Sequence, residues 1–344
     1  MAFALPTDLA PMEAASVDAI PEGDEWQYEP KWDGFRCVAY RHNGDVDLRS
    51  KARQPLGRYF PELVAALTAV EARDFVLDGE IVVPASTTLS FDELLKRIHP
   101  AESRIKKLAA ATPAWLVIFD LLADADGDSW VERSLSERRA ALELFARKYV
   151  PTGGQLRLSP ATTKLSVAKS WFGSVGTSLD GLIAKRRDVP YAAGERTGMV
   201  KIKPHRSADC VVGGFRYAEK AQVVGSLLLG LYDDQGLLHH VGFCSGMKSA
   251  EKPALTRKLE ALVGGPGFTG RVPGGPSRWS TKRSSEWQPL EPKLVVEVSF
   301  DHVTSERFRH GTSLLRWRPD KAPRQCTLEQ LHQKKSRVLE LLTN

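Results

Sequence analysis

The stretch YEPKWDGFR, residues 28–36, sets one lysine, Lys31, among aromatic residues, with Asp33, Gly34 and Arg36 just behind it. A lysine in such a place is either an ordinary side chain, its stem packed and its charge in water, or a nucleophile. A nucleophilic amine has to be neutral, which near pH 7 calls for desolvation or neighbouring cations. Trp32 and Phe35 supply apolar neighbours. A carboxylate held beside Lys31 would oppose the neutral form unless a metal ion occupied it. The rest of the chain therefore has to supply cations, carboxylates and a way to bring them together.

Charges recur within otherwise apolar strand-like segments, at Lys31, Asp33, Arg36, Asp78, Glu80, Asp120, Asp180, Lys185, Lys201 and Lys203. Burying a charge is costly unless it is paired or used. Residues two apart on a strand share a face, so Asp78 and Glu80 are expected to point the same way, as are Lys201 and Lys203. A half-exposed sheet with solvated charges would explain any one segment. It explains five less well, because Val76, Leu77, Ile81, Val82, Leu182 and Ile183 have the look of buried neighbours. Converging lysines and carboxylates point to a site for a phosphate together with a metal ion.

These segments imply an α+β fold with antiparallel sheets. FRCVAYRH and DVDLRS flank NGD, a hairpin signal. FPELVAALTAV has helical spacing, and SLSERRAALELFARKY opens with Ser134 and Glu137 in capping-box register. After Lys203-Pro204 the character changes to short strands with glycine turns, which suits a small barrel. Two domains are expected, 1–205 and 206–344. The second should hold one internal helix, EKPALTRKLEALV, an irregular Gly/Pro/basic loop through residues 264–287, and a closing helix over TLEQLHQKKSRVLELL.

The 344 residues carry a net charge of +6, gathered into clusters such as KRSSEW, RFRHGTSLLRWRPDK and HQKKSR. Such clusters are compatible with a polyanionic partner, and equally with solvated faces. The four cysteines are far apart with no CxxC pair, so buried free thiols are expected rather than a zinc site. No run is long and apolar enough to span a bilayer, and no secretory signal is recognisable, so a cytoplasmic protein is expected.

At this point the ordered set of motifs resembles the ATP-dependent DNA ligases. KWDGFR resembles their nucleotidyl-transfer motif, FVLDGEIVV motif III, VIFDLL motif IIIa, DGLIAKR motif IV, MVKIKP motif V and RWRPDK motif VI. RYFPELVAA, RIHPAESR, SADCVVGGFR and GSLLLGLYD extend the resemblance to the small bacterial LigC type, over almost the whole chain. The resemblance implies a nucleotidyltransferase (adenylation) domain followed by an OB-fold β-barrel. It implies a nucleophile, Lys31, that takes AMP from ATP, passes it to the 5′-phosphate of a nick and so permits sealing. Glu29 would read the adenine edge, Arg36 would contact ribose or phosphate, Glu80 would hold ribose hydroxyls or a metal, and Phe119 would stack on adenine. Lys185 and Lys203 would hold the α-phosphate, with Lys201 a weaker candidate, and Arg318, Asp320 and Lys321 would orient pyrophosphate.

Two positions depart from the family pattern. Asp180 stands where motif IV has Glu, a shorter carboxylate still suited to a metal, and Lys51 stands where motif Ia has Arg, without the bidentate fork. The implied cofactors are ATP and Mg2+, or Mn2+, with Glu80 and Asp180 as metal residues. Nicked duplex DNA is the implied partner, with Ku in a repair setting, and a monomer in the bacterial cytoplasm and nucleoid is expected. The early start of the first motif leads to the expectation of no additional N-terminal DNA-binding domain. An RNA ligase or capping enzyme of the same superfamily, or an inactive nucleic-acid-binding module, are the alternative readings.

Overall fold

A computed structural model describes residues 5–86, 88–175, 179–204, 206–219, 221–274, 286–331 and 338–342. The chain divides into two compact units, Met1–Pro204 with Gln333–Asn344, and His205–His332.

The first unit is built on two sheets. Strands β1 (Ala15–Val17), β2 (Trp26–Pro30), β3 (Phe35–His42), β4 (Asp45–Ser50) and β5 (Phe75–Val82) are followed by a short hairpin, β6 and β7 (Pro84–Ala85 and Thr88–Leu89). Then come β8 (Trp115–Ala123), β9 (Leu156–Leu158), β10 (Leu182–Arg186) and β11 (Met199–Ile202). One sheet has the order β4-β3-β5-β8-β9 and the other β1-β11-β10-β2. Antiparallel pairing prevails, and the pairs β1/β11 and β8/β9 are parallel. The expected β3–β4 hairpin turns at Asn43 and Gly44, both at positive φ (52° and 91°), the backbone that a two-residue turn requires.

Side-chain alternation divides each sheet into a core face and a site face. Cys37, Ala39, Leu77, Ile81, Leu116 and Ile118 point to one side of the larger sheet. There they form a core with Leu63 and Leu67 of α1 (Pro61–Thr68) and Leu142 and Phe145 of α4 (Leu135–Tyr149). The capping box at the start of α4 is formed, with the Ser134 hydroxyl accepting from the Glu137 N–H. In the smaller sheet Tyr28, Leu182, Ala184 and Ile202 pack against Leu165, Ala168 and Phe172 of α5 (Leu165–Val175). The opposite faces of both sheets carry Glu29, Arg36, Glu80, Phe119, Lys185 and Lys201, all of which line one cavity. Each fully buried Leu or Phe on the core faces contributes about 1.5–3 kcal/mol, which anchors the strands that present the charged residues.

The second unit is the expected barrel. Strands β12 (Arg206–Ala218), β13 (Ala221–Tyr232), β14 (Leu238–Cys244), β16 (Val295–Phe300) and β19 (Ser313–Trp317) form a sheet of order β14-β13-β12-β16-β19. A short β15 (Gln288–Pro289) adds to β12, and β17 (Val303–Thr304) and β18 (Arg307–Phe308) form a hairpin. The Thr312 N–H and hydroxyl both donate to the Phe243 carbonyl, at 3.0 and 3.1 Å, tying the β14 edge to the chain entering β19. The core holds Val211, Phe215, Leu227, Leu229, Val241, Val296 and Val298. The expected internal helix is α6 (Lys252–Glu260). Of the irregular loop, residues 275–285 lie outside the described residues.

The C-terminus departs from expectation. The described parts of the expected closing helix are two short 3-10 turns, Leu328–Leu331 and Val338–Leu342. Their apolar residues serve different cores. Leu328 and Leu331 join the barrel core, whereas Leu342, with Leu339 and Leu341 beside it, joins Trp32, Val82, Val117 and Phe119. For that reason the last residues count with the first unit. All four cysteines are buried and free.

Candidate active site

Lys31 lies just past the end of β2, not within a strand, and Asp33, Asp180 and Lys203 likewise stand beyond strand ends. Pro30, the last residue of β2, has no N–H with which to extend a ladder. The backbone leaves the sheet there under tight control. The Lys31 N–H donates to the Gly181 carbonyl at 3.0 Å, and the Asp180 N–H donates to the Lys31 carbonyl at 2.9 Å. Trp32 is buried, its indole N–H on the Ser159 hydroxyl at 2.9 Å, so the aromatic beside Lys31 is an anchor.

Two motif glycines are required by close approach. A Cβ on Gly34 would land on the Ile81 carbonyl oxygen, and one on Gly181 on the Ile202 carbonyl oxygen. Gly181 also sits at φ +129°, where side chains are rare. These contacts hold the Lys31 loop against β5 and the Asp180 turn against β11.

The side chains converge as a set of pairs. Asp180 forms ion pairs with Lys31 Nζ and, at 2.9 Å, with Lys203 Nζ. Lys185 Nζ is 2.9 Å from Glu29 Oε2, and the other oxygen of Glu29 accepts from Gln27 at 2.8 Å. This pairing follows from register, since Ile183 lies opposite Glu29 and Lys185 is two residues along the same face. Arg36 grips Asp78 with two bonds of 2.6 Å, and Tyr191 donates to the same carboxylate at 2.6 Å. Burial opposes the Arg36 charge, but the Asp78 carboxylate more than offsets it and holds the pKa above the usual value.

The cavity framed by these pairs measures about 200 Å³. Lys31, Arg36, Glu80, Phe119, Lys185 and Lys201 line it, with Ile183 and Met199 as apolar wall. The Phe119 ring lies 4.6 Å from Lys185 Nζ and 4.7 Å from the Arg36 guanidinium carbon. Glu80 is half-buried, and burial pushes it up to about 7 against the pull of Lys31 and Arg36. Burial lowers the Lys201 pKa, and the charges of Lys31, Lys203 and Lys51 add to the effect. Lys51 reaches the rim of the cavity and pairs with Glu13 at 3.0 Å.

The structure therefore gathers Lys31, Glu29, Arg36, Lys51, Glu80, Phe119, Asp180, Lys185, Lys201 and Lys203 into one region of the first unit. Arg318, Asp320 and Lys321 belong to the second unit and form their own cluster. Arg318 lies 2.8 Å from Asp209 and 2.9 Å from Asp320, and Lys321 lies 3.0 Å from Asp209. Sequence reasoning missed four contributors. Tyr191 sits in an irregular segment with no periodicity to mark it. Ile183 and Met199 were legible only through strand alternation, as the apolar members of the site face. The fourth, Asp209, was hidden within a barrel strand.

A cation–carboxylate cluster around a cavity that also holds an aromatic ring has counterparts among known proteins. The model of the ATP dependent DNA ligase domain matches residues 11–203, and that of the ATP dependent DNA ligase C terminal region matches 220–321. DNA ligase C2 of Mycolicibacterium smegmatis is 44% identical over 340 residues, covering 94% of each chain. DNA ligase C of Mycobacterium tuberculosis is 42% identical over 338 residues, covering 94% of this chain and 93% of that one. The multifunctional non-homologous end joining protein LigD of Mycobacterium bovis is 29% identical over 329 residues, 94% of this chain and 40% of that protein. A solved structure from work on DNA binding by Lig E DNA ligases aligns with TM-score 0.55 at 16% identity, covering 90% of this chain and 99% of that one, a likeness of fold alone.

Proposed function

Because this chain belongs to the ATP-dependent DNA ligase family, we propose that it seals nicks in duplex DNA through a covalent lysyl-AMP carried on Lys31. The observation that supports this most is the placing of Lys31. Its backbone is pinned to the Asp180–Gly181 turn, and its side chain enters a cavity already lined by cations, a stacking aromatic and a half-buried carboxylate.

In this reading Lys31 Nζ gives up a proton and attacks the α-phosphorus of ATP. The N–P bond forms as the bond to the β-phosphate oxygen breaks, and pyrophosphate leaves. Asp180, in contact with Nζ, is the carboxylate within reach of that proton. Lys185 and Lys203, with Lys201 beside them, hold the α-phosphate oxygens as charge develops. Phe119 stacks on adenine, opposite the wall of Ile183 and Met199. Glu29 holds Lys185 in place and borders the base. Arg36, braced by Asp78 and Tyr191, contacts ribose or phosphate, and Lys51 at the rim contacts phosphate. Arg318, Asp320 and Lys321 orient the pyrophosphate.

Glu80 and Asp180, the carboxylates that feel the Lys31 charge, offer hard oxygen donors of the kind that would hold Mg2+ or Mn2+. When bound, such an ion supplies neutralisation of phosphate charge. AMP then passes to the 5′-phosphate of the nick, and the 3′-hydroxyl attacks that phosphate and releases AMP. A monomer acting in bacterial DNA repair, with Ku in end joining, completes the proposal.

The test is incubation of the wild type and Lys31→Ala with α-labelled ATP or GTP and magnesium. Label from ATP on the wild type alone, chased onto nicked DNA, is the expected result. Equal labelling of the two proteins overturns the lysyl-AMP assignment. Chase onto nicked RNA in place of DNA makes the chain an RNA ligase, and absence of label on either protein makes it a binding module.

A further inference from the structure

Strand β2 carries a buried amide, Gln27, one residue outside the stretch YEPKWDGFR. Gln27 stands two residues before Glu29 and shares its face of the strand. In the pairing of β2 with β10, Lys185 lies directly opposite Gln27, and Ile183 lies opposite Glu29. Gln27, Glu29 and Lys185 are all buried, at 5%, 2% and 6% exposure. Glu29 and Lys185 line the cavity, and Gln27 does not.

The Glu29 carboxylate is held at both oxygens. Gln27 Nε2 donates to Oε1 at 2.8 Å, and Lys185 Nζ donates to Oε2 at 2.9 Å. Lys185 Nζ also donates to the Phe119 carbonyl at 3.4 Å, which sets the carboxylate relative to the ring that lines the cavity. A carboxylate has room for about four hydrogen bonds, so Glu29 keeps acceptor capacity for a donor in the cavity. A carboxylate free to turn can accept from the N6 amine of adenine or from the N1–H of a 6-oxopurine. One fixed at both oxygens can be aligned with only one of these. Lys185 alone would leave Oε1 untethered, and the terminal torsion of glutamate is soft.

We infer that Gln27 is a positioning residue for base selection. Without reaching the nucleotide, it anchors Glu29 Oε1 and so confines the cavity carboxylate to the 6-amino edge of adenine. This rests on the proposed function, from which adenine is taken as the base and Glu29 as the group that meets it.

The experiment titrates the full chain with AMP and with IMP, which has an oxygen in place of the N6 amine, for the wild type, Gln27→Met and Gln27→Glu. This readout needs no transfer to Lys31. The wild type is expected to prefer AMP. Gln27→Met keeps the length of the side chain and removes the donor, and its AMP-to-IMP affinity ratio is expected to fall roughly five-fold, as for the loss of one hydrogen bond. Gln27→Glu keeps the length and donates only while protonated, so its ratio is expected to fall as pH rises. A purely structural role would weaken both nucleotides alike and leave the ratio unchanged. An unchanged ratio in Gln27→Met therefore overturns the assignment, as does a wild type without preference for AMP. If Gln27→Met fails to fold, a pH-independent wild-type ratio in Gln27→Glu overturns it. A wild type that prefers AMP but takes no label from ATP sinks the lysyl-AMP reading and leaves the role of Gln27 standing.

Discussion

The cations around the cavity of the first unit and Arg307 of the barrel differ in their partners. Around the cavity, Lys31 and Lys203 share Asp180, Lys185 has Glu29, and Arg36 has Asp78. In the barrel, the Arg307 Nε is buried with no hydrogen-bond partner among the described residues. Paired cations are held in fixed positions before a ligand arrives, which suits chemistry at one atom. A buried guanidinium nitrogen without an acceptor costs stability instead.

The strongest way to break this contrast is Lys31→Arg, which keeps the charge and removes the nucleophile. Label transfer from ATP is expected to vanish completely, as read on a denaturing gel, and retained transfer would mean that charge alone matters in the cavity. Next in size is Asp78→Ala, which leaves Arg36 without its counter-ion. Removing one partner of a buried pair costs about 3–5 kcal/mol, measured as a shift of the urea midpoint, and a shift of a few tenths would mean that the pair is dispensable.

A third, smaller effect concerns Glu80. Burial pushes its carboxyl up from the ordinary 4.5 to about 7 in the folded chain. Between these values the folded state holds a proton that the unfolded state has lost, so stability falls as pH rises through that window. Glu80→Gln is expected to flatten this part of the stability–pH curve, and an identical slope in the variant would mean that another group titrates there. The smallest effect is expected of Asp320→Asn. The Asp320 carboxylate is 64% exposed beside Arg318, and exposed pairs add little to stability. Its melting temperature should match the wild type, while a clear drop would erase the distinction between the two kinds of pair.

Much of the fold was legible because its rules are local. The Asn43-Gly44 turn, the Ser134 capping box and the strand at residues 75–82 each follow from neighbours in sequence. The charged site residues were legible for a related reason, since a charge in an apolar strand has to be explained. Partners were not. That Lys185 meets Glu29 and that Arg36 meets Asp78, not its cross-strand neighbour Glu80, depends on register between strands far apart in the chain. Tyr191 was hidden because it sits outside any periodic element, 113 residues from the carboxylate it serves. The C-terminal leucines look alike in sequence, and only packing assigns them to two cores.

The two backbone hydrogen bonds that tie Lys31 to the Asp180–Gly181 turn set a limit on movement. With the main chain fixed, a nucleotide attached to Nζ can travel only by rotation about the bonds of one side chain, a radius of about 6 Å at ordinary bond lengths. On the proposed mechanism the activated phosphorus would therefore stay within that radius. Under that proposal, further alignment with a broken strand would fall to motion of the DNA and whatever grips it, so the rate of sealing should respond to how the duplex is held more than to how the nucleotide is carried.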